Sequence, residues 1–198
     1  MKRLYFKFGA MGSSKSAQAL MTAFNYRQRG YNVLLIKPSI DTRESESVIK
    51  SRIGLSSPCT LFNLSDDLTQ IAAQHPETQV IIVDEAQFCT KNQIDQLKEL
   101  TQHDLTVICY GLKTNFKSEL FEGSKRLVEL AESIQEIKSV CRCGSKATMN
   151  ARIVDNLVVS NGDEIDIGGD EKYEGMCYAC WKKYQTQPIN GNSIEKPR

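Results

Sequence analysis

A single junction constrains this chain more than any other: a short expected strand, Leu4–Phe8, leads without a spacer into Gly9-Ala10-Met11-Gly12-Ser13-Ser14-Lys15-Ser16. A helical stretch from Lys15 to Arg29 follows, stopped by Gly30. A strand, a glycine-bearing turn ending in Lys-Ser, and a helix make the phosphate-binding loop pattern G-x-x-x-x-G-K-[ST]. Backbone N–H groups and the helix N-terminus together cradle phosphate oxygens. Lys15 would reach the β- and γ-phosphates of ATP, and Ser16 would coordinate Mg²⁺. Gly9 through Ser16 are therefore the candidate nucleotide-binding residues. Ser14 departs from the pattern, standing where the second glycine belongs. A serine there is unstrained at ordinary dihedrals but costs about 1 kcal/mol or more at positive φ.

A second segment supports the same chemistry. Val80-Ile81-Ile82-Val83 is an unbroken apolar, β-branched run that ends in Asp84-Glu85. Asp84 at the strand's end suits Mg²⁺ binding, and Glu85 is free to accept a proton from an attacking hydroxyl or water. The remaining elements alternate. We expect strands at Val33–Lys37 and Leu105–Tyr110, and helices from Asp66 to about Gln74, Asn92 to Thr101 and Ser124 to Ser133. Residues 39–58 read as an aperiodic loop. Short buried strands alternating with helices predict an α/β fold, a mostly parallel, RecA-like sheet with helices on both faces. Ligands bind at the C-terminal edge of such a sheet.

The character changes after Ser139. Two tight cysteine pairs, Cys141-Arg-Cys143 and Cys177-Tyr-Ala-Cys180, bracket expected strands at Arg152–Val159 and Glu164–Ile167 with a turn at Asn161-Gly162. Seven cysteines, four of them in two pairs, point to a closed, structural Cys₄ zinc site in a reducing compartment rather than to disulfides. Such a lobe is too small to fold on apolar burial alone. The expected organisation is an ATP-binding domain over 1–139, a zinc lobe over 140–185, and a disordered tail over 186–198. A net charge of +1 excludes the broad basic field of a nucleic-acid binder, and no run of about 18 apolar residues predicts a membrane span. The cytoplasm follows as the expected location.

From the residues alone, three readings stand: a phosphotransferase, a helicase-type ATPase suggested by Asp84-Glu-Ala-Gln87, and a non-catalytic nucleoside- or nucleotide-binding paralogue with an impaired loop. Several further strings carry a resemblance. They are Lys37-Pro38 with Asp41-Thr42-Arg43, Ser51 to Pro58, Asp84 to Phe88, Cys109 to Phe116, and Ile167 to Tyr173. With the phosphate loop and the cysteine pairs, the chain from about Arg3 to Lys183 closely resembles the zinc-containing thymidine kinases of bacteria and animals. The resemblance implies phosphorylation of thymidine at its 5′-hydroxyl in nucleotide salvage. Glu85 would be the base, with Lys15 and Arg43 stabilising the transferring phosphoryl group. It also implies a lasso loop over about Asn150–Tyr173, in which Ile167 and Gly168 offer backbone groups to thymine. Met11, Phe88, Leu112, Phe116, Phe121 and Tyr173 would wall the nucleoside pocket, and Met149 and Asn150 would lie near the thymine methyl. Feedback inhibition by thymidine triphosphate and a homotetramer are further implications.

Overall fold

The structure is a computed structural model and describes residues 3–39, 47–161 and 172–189. Its centre is a six-stranded, wholly parallel sheet in the order β5-β2-β6-β7-β1-β8. These strands are β1 (Leu4–Phe8), β2 (Val33–Pro38), β5 (Thr60–Phe62), β6 (Val80–Val83), β7 (Thr106–Gly111) and β8 (Ser133–Glu136). Residues of β6 alternate between two cores, which is why an unbroken apolar run was needed there. Ile81 and Val83 face one layer with Leu68, Ile94, Leu97 and Leu127, whereas Val80 and Ile82 face the other with Ala19, Leu20 and Ala23. All four β6 residues are buried, each contributing about 1.5–3 kcal/mol of apolar burial.

Helix α1 (Lys15–Gln28) covers one face, while α2 (Leu68–Ala73), α3 (Lys91–Leu100) and α4 (Glu122–Leu130) cover the other. Their starts follow side-chain chemistry. Asp67 rather than Asp66 caps α2 through the Thr69 N–H at 2.8 Å. Thr90 and Gln93 form a reciprocal capping box at α3.

Residues 48–58 are not an aperiodic loop. Strands β3 (Val48–Lys50) and β4 (Ser56–Pro58) pair antiparallel as a hairpin, with Ile49 buried against the α1 side of the sheet. The strands are three residues each, too short for periodicity to register. Strands β5 and β8 escaped notice for the same reason. The expected helix to Ser133 ends at Leu130, because Ser133 starts β8 beside β1.

In the C-terminal lobe, the stretch Arg152–Val159 is two strands rather than one. Strand β9 (Met149–Val154) turns at Asp155-Asn156, both at positive φ, into β10 (Leu157–Val159). Those dihedrals suit the short polar side chains of Asp and Asn in a tight hairpin. Strand β11 (Tyr173–Met176) pairs with the opposite edge of β9 and runs into α5 (Tyr178–Lys183). The expected strand Glu164–Ile167 and the turn at Gly162 lie outside the described residues. Of the expected tail over 186–198, residues 186–189 are described and the rest lies outside the described residues. Ile189 is buried in the lobe core and its N–H bonds the Asn156 carbonyl at 2.7 Å. Among the described residues, no helix is long and apolar enough to cross a membrane.

Candidate active site

The phosphate loop and the acid pair meet at the C-terminal edge of the sheet. A cleft of about 520 Å³ is lined by Met11–Ala17, Lys37 and Pro38, the hairpin residues Ile49–Ile53, and Asp84, Glu85 and Phe88. The β3–β4 hairpin, which periodicity missed, thus supplies one wall. Lys15 is buried and its Nζ donates to the Ala10 carbonyl at 3.0 Å, holding the charge against the loop. Ser14 has φ 61° and ψ 30°, in the left-handed region that the missing glycine would occupy freely. Its side chain is exposed, and its carbonyl still accepts the first helical bond from Gln18 at 3.0 Å. The loop is therefore formed, at a local conformational cost.

Asp84 is buried, and one carboxylate oxygen, Oδ1, has no hydrogen-bond partner among the described residues. Burial pushes its carboxyl up to about 7, helped by the neighbouring Glu85 charge and opposed by a bond from Ser16 and by Lys15. An orphaned buried carboxylate oxygen beside the Ser16 hydroxyl offers two oxygen donors of the kind a hard cation takes.

Glu85 also occupies the left-handed region, φ 54° and ψ 36°, where a short 3₁₀ turn over Ala86–Phe88 begins. Strain of this kind persists only where the surroundings impose it. Here the restraint is Gln87, which sequence reasoning passed over. Gln87 is buried, its Nε2 donates to Glu85 Oε2 at 2.6 Å, and its Oε1 accepts from the Leu112 N–H at 3.0 Å. A side chain at Gly111 would meet Gln87 Oε1 at 2.7 Å, so glycine is required where β7 ends. Ser124 closes the arrangement by donating to the Leu112 carbonyl at 2.5 Å.

Behind the loop, the four cysteines Cys141, Cys143, Cys177 and Cys180 bring their sulfurs within 4.8 Å of one another, a cluster that could hold a metal ion. Cys143 and Cys177 are 3.6 Å apart at sulfur. A tetrahedral thiolate site fits zinc and leaves no open position. A hydrogen bond from Ser145 draws the Cys143 thiol down to about 6, favouring the thiolate a metal needs. Arg142, within the first knuckle, reaches Glu174 on β11 with Nε 2.9 Å from Oε1.

The thymidine kinase family model matches residues 2–181 of this chain. The chain belongs to the thymidine kinase family. The thymidine kinase of Zymomonas mobilis is 45% identical over 182 residues, covering 89% of this chain and 94% of its own. That of Rhodopirellula baltica is 40% identical over 190 residues, covering 92% and 89%, and that of Legionella pneumophila strain Lens is 42% identical over 201 residues, covering 98% and 96%. Membership decides among the readings that Asp84–Gln87 left open, in favour of the kinase over the helicase-type ATPase.

The structure distributes the residues expected to bind thymidine unevenly. Met11 and Phe88 line the cleft with the loop and the acids. Phe121 packs edge-on against Phe88, with ring centres 5.7 Å apart, and Leu112 is tied by its N–H to Gln87. Phe116 and Tyr173 form a separate edge-on pair at 6.5 Å, joining the segment after β7 to β11. Met149 packs against the zinc-lobe core. The Asn150 amide is engaged on both sides by protein, accepting from the Met11 N–H and donating to the Thr114 carbonyl. Arg43, Ile167 and Gly168 lie outside the described residues.

Proposed function

We propose that this thymidine kinase family member transfers the γ-phosphoryl group of ATP to the 5′-hydroxyl of thymidine, giving thymidine monophosphate for nucleotide salvage. The observation that carries the reading is the convergence of Lys15, Asp84 and Glu85 on one cleft. Glu85 accepts the proton of the 5′-hydroxyl as its oxygen attacks phosphorus and the bond to the ADP oxygen breaks. Lys15 and Arg43 stabilise the charge spread over the transferring group. Ser16 and Asp84 would hold Mg²⁺, which when bound neutralises phosphate charge. Cys141, Cys143, Cys177 and Cys180 would hold a structural Zn²⁺.

Met11, Phe88, Leu112, Phe116, Phe121 and Tyr173 wall the nucleoside site, with Met149 near the thymine methyl and the Ile167 and Gly168 backbone groups on the base edge. Apolar contact with one methyl discriminates by only about 1–3 kcal/mol, so exclusion of cytosine rests on the polar edge contacts. Closure of the lasso keeps water from the γ-phosphate. Feedback by thymidine triphosphate, a cytoplasmic location and a homotetramer complete the proposal. Met21 and Phe24, exposed on α1, offer apolar surface for that assembly.

The test is a nucleoside panel with ATP·Mg. Thymidine should be phosphorylated and deoxycytidine refused; equal use of both would contradict the proposed base recognition.

A further inference from the structure

We infer that the cross-strand pair Asn150–Gly175 in the zinc lobe positions the phosphate loop, so that the lobe sets affinity for the phosphate donor as well as enclosing the nucleoside. Asn150 on β9 and Gly175 on β11 stand directly opposite each other. Both address a single residue of the loop, Met11. The Met11 N–H donates to Asn150 Oδ1 at 2.8 Å. A side chain at Gly175 would run into the Met11 carbonyl oxygen at 2.6 Å and the Ala10 methyl at 3.2 Å. One member of the pair thus grips the N–H of Met11, and the other leaves room for its C=O.

The grip is itself anchored. Asn150 is buried and donates Nδ2 to the Thr114 carbonyl at 2.6 Å, so its amide cannot rotate without losing two bonds. Taking the Met11 N–H out of the phosphate cradle fixes the plane of that peptide. It thereby fixes the turn that follows, where the Ser13 N–H bonds the Ala10 carbonyl at 3.1 Å. Ala10 belongs to the same buried cluster as Cys141, Cys180, Met176 and Trp181. Gly175 lies two residues before Cys177, and Glu174 beside it is held by Arg142 of the first knuckle. The cysteine cluster and the phosphate loop are therefore bridged by one strand pair.

Such coupling is reciprocal: what the lobe does for nucleotide affinity, nucleotide must do for the lobe. The inference rests on reading Gly9–Ser16 as the donor site, and the experiment separates the two. Binding of MgATP without thymidine is measured calorimetrically for zinc-loaded native chain, Asn150→Leu, Asn150→Asp, Gly175→Ala and Val158→Ala. Zinc content and thermal unfolding are recorded for each. Val158 is buried in the lobe core and controls for destabilisation alone.

Asn150→Leu and Gly175→Ala should retain zinc and weaken MgATP about tenfold or more, which corresponds to about 1.4 kcal/mol. Asn150→Asp keeps an acceptor for Met11 but faces the Thr114 carbonyl with a charge, and should fall between. Val158→Ala should lower the unfolding temperature without changing MgATP affinity. MgATP should also slow zinc loss to a chelator several-fold in native chain but not in Asn150→Leu. Unchanged MgATP affinity in the three Asn150 and Gly175 variants would overturn the inference while leaving the donor site intact. So would losses that merely track unfolding temperature, Val158→Ala included. Failure of the folded native chain to bind MgATP would overturn the donor-site reading and the inference with it.

Discussion

Gln87 holds Glu85: its amide donates to the carboxylate at 2.6 Å while its other end is fixed by the Leu112 N–H. Glu85 sits at positive φ, in a strained turn, and Gln87 is two residues further along the same turn. The proposed base is therefore aimed by a bond within its own 3₁₀ turn and anchored to the end of β7. Exchanging Gln87 for Met keeps approximate volume but removes both bonds. Turnover should fall about tenfold or more, with a smaller change in the KM for ATP. Gln87→Glu instead places a second carboxylate beside Glu85, raising the apparent pKa of the pair. The acid limb of its pH–rate profile should move to higher pH, whereas a purely structural Gln87 would leave the limb in place.

Asp84 makes stability depend on pH. Its folded carboxyl titrates near 7 because of burial first and the Glu85 charge second, well above the ordinary value of 3.8. The native state thus holds a proton that the unfolded chain has released. That contribution is complete below the ordinary value of 3.8, is lost progressively as pH rises to about 7, and changes no further above it. Without Mg²⁺, the unfolding temperature should drop between about pH 4 and about pH 7 and level off above that, and Mg²⁺ should restore part of the loss at about pH 8. Asp84→Asn should flatten both effects. A thermal melt series across that range checks the pair of outcomes.

Ser14 supplies a test of the imperfect loop. A non-glycine residue in the left-handed region costs about 1–2 kcal/mol, and glycine returns about 0.4–1 kcal/mol to the unfolded chain's entropy. Ser14→Gly should therefore be neutral to about 1 kcal/mol stabilising in denaturant titration, with activity kept. Ser14→Val, β-branched at φ 61°, should be destabilising and should weaken ATP. Strong destabilisation by Ser14→Gly would contradict the observed dihedral.

Zinc removal has its own reporter. Trp181 is the only tryptophan of the chain and is buried in the lobe beside Cys180. Stripping the metal with a strong chelator should shift its emission to the red, with a zinc content near one per chain before treatment. Cys143→Ser should mimic the stripped state. An unchanged emission in metal-free protein would show that the lobe folds without the metal.

Much of this was legible in sequence because the chemistry carried it. Val80–Val83 could only be a strand buried on both faces, and Lys15, Asp84 and Glu85 had to meet wherever a parallel sheet brought β1 and β6 to one edge. The two cysteine pairs likewise announced their own convergence. What stayed hidden depends on contact rather than composition. The β3–β4 hairpin and β8 are too short for periodicity, and their pairing is decided by neighbours far along the chain. Gln87 was visible in the string Asp84–Gln87, yet nothing local says that its amide is shared between Glu85 and Leu112. Asn150 was read as a nucleoside neighbour; only the fold puts it against Met11, 139 positions earlier.

The central claim is tested most directly by following thymidine monophosphate formation from thymidine and ATP·Mg with zinc-loaded chain, native and Glu85→Gln. Native protein should form product, and Glu85→Gln should lose about 10²–10⁴ in turnover while binding MgATP within a few-fold of native. A folded, zinc-loaded native chain that makes no thymidine monophosphate, or a Glu85→Gln chain that turns over like native, would contradict the account.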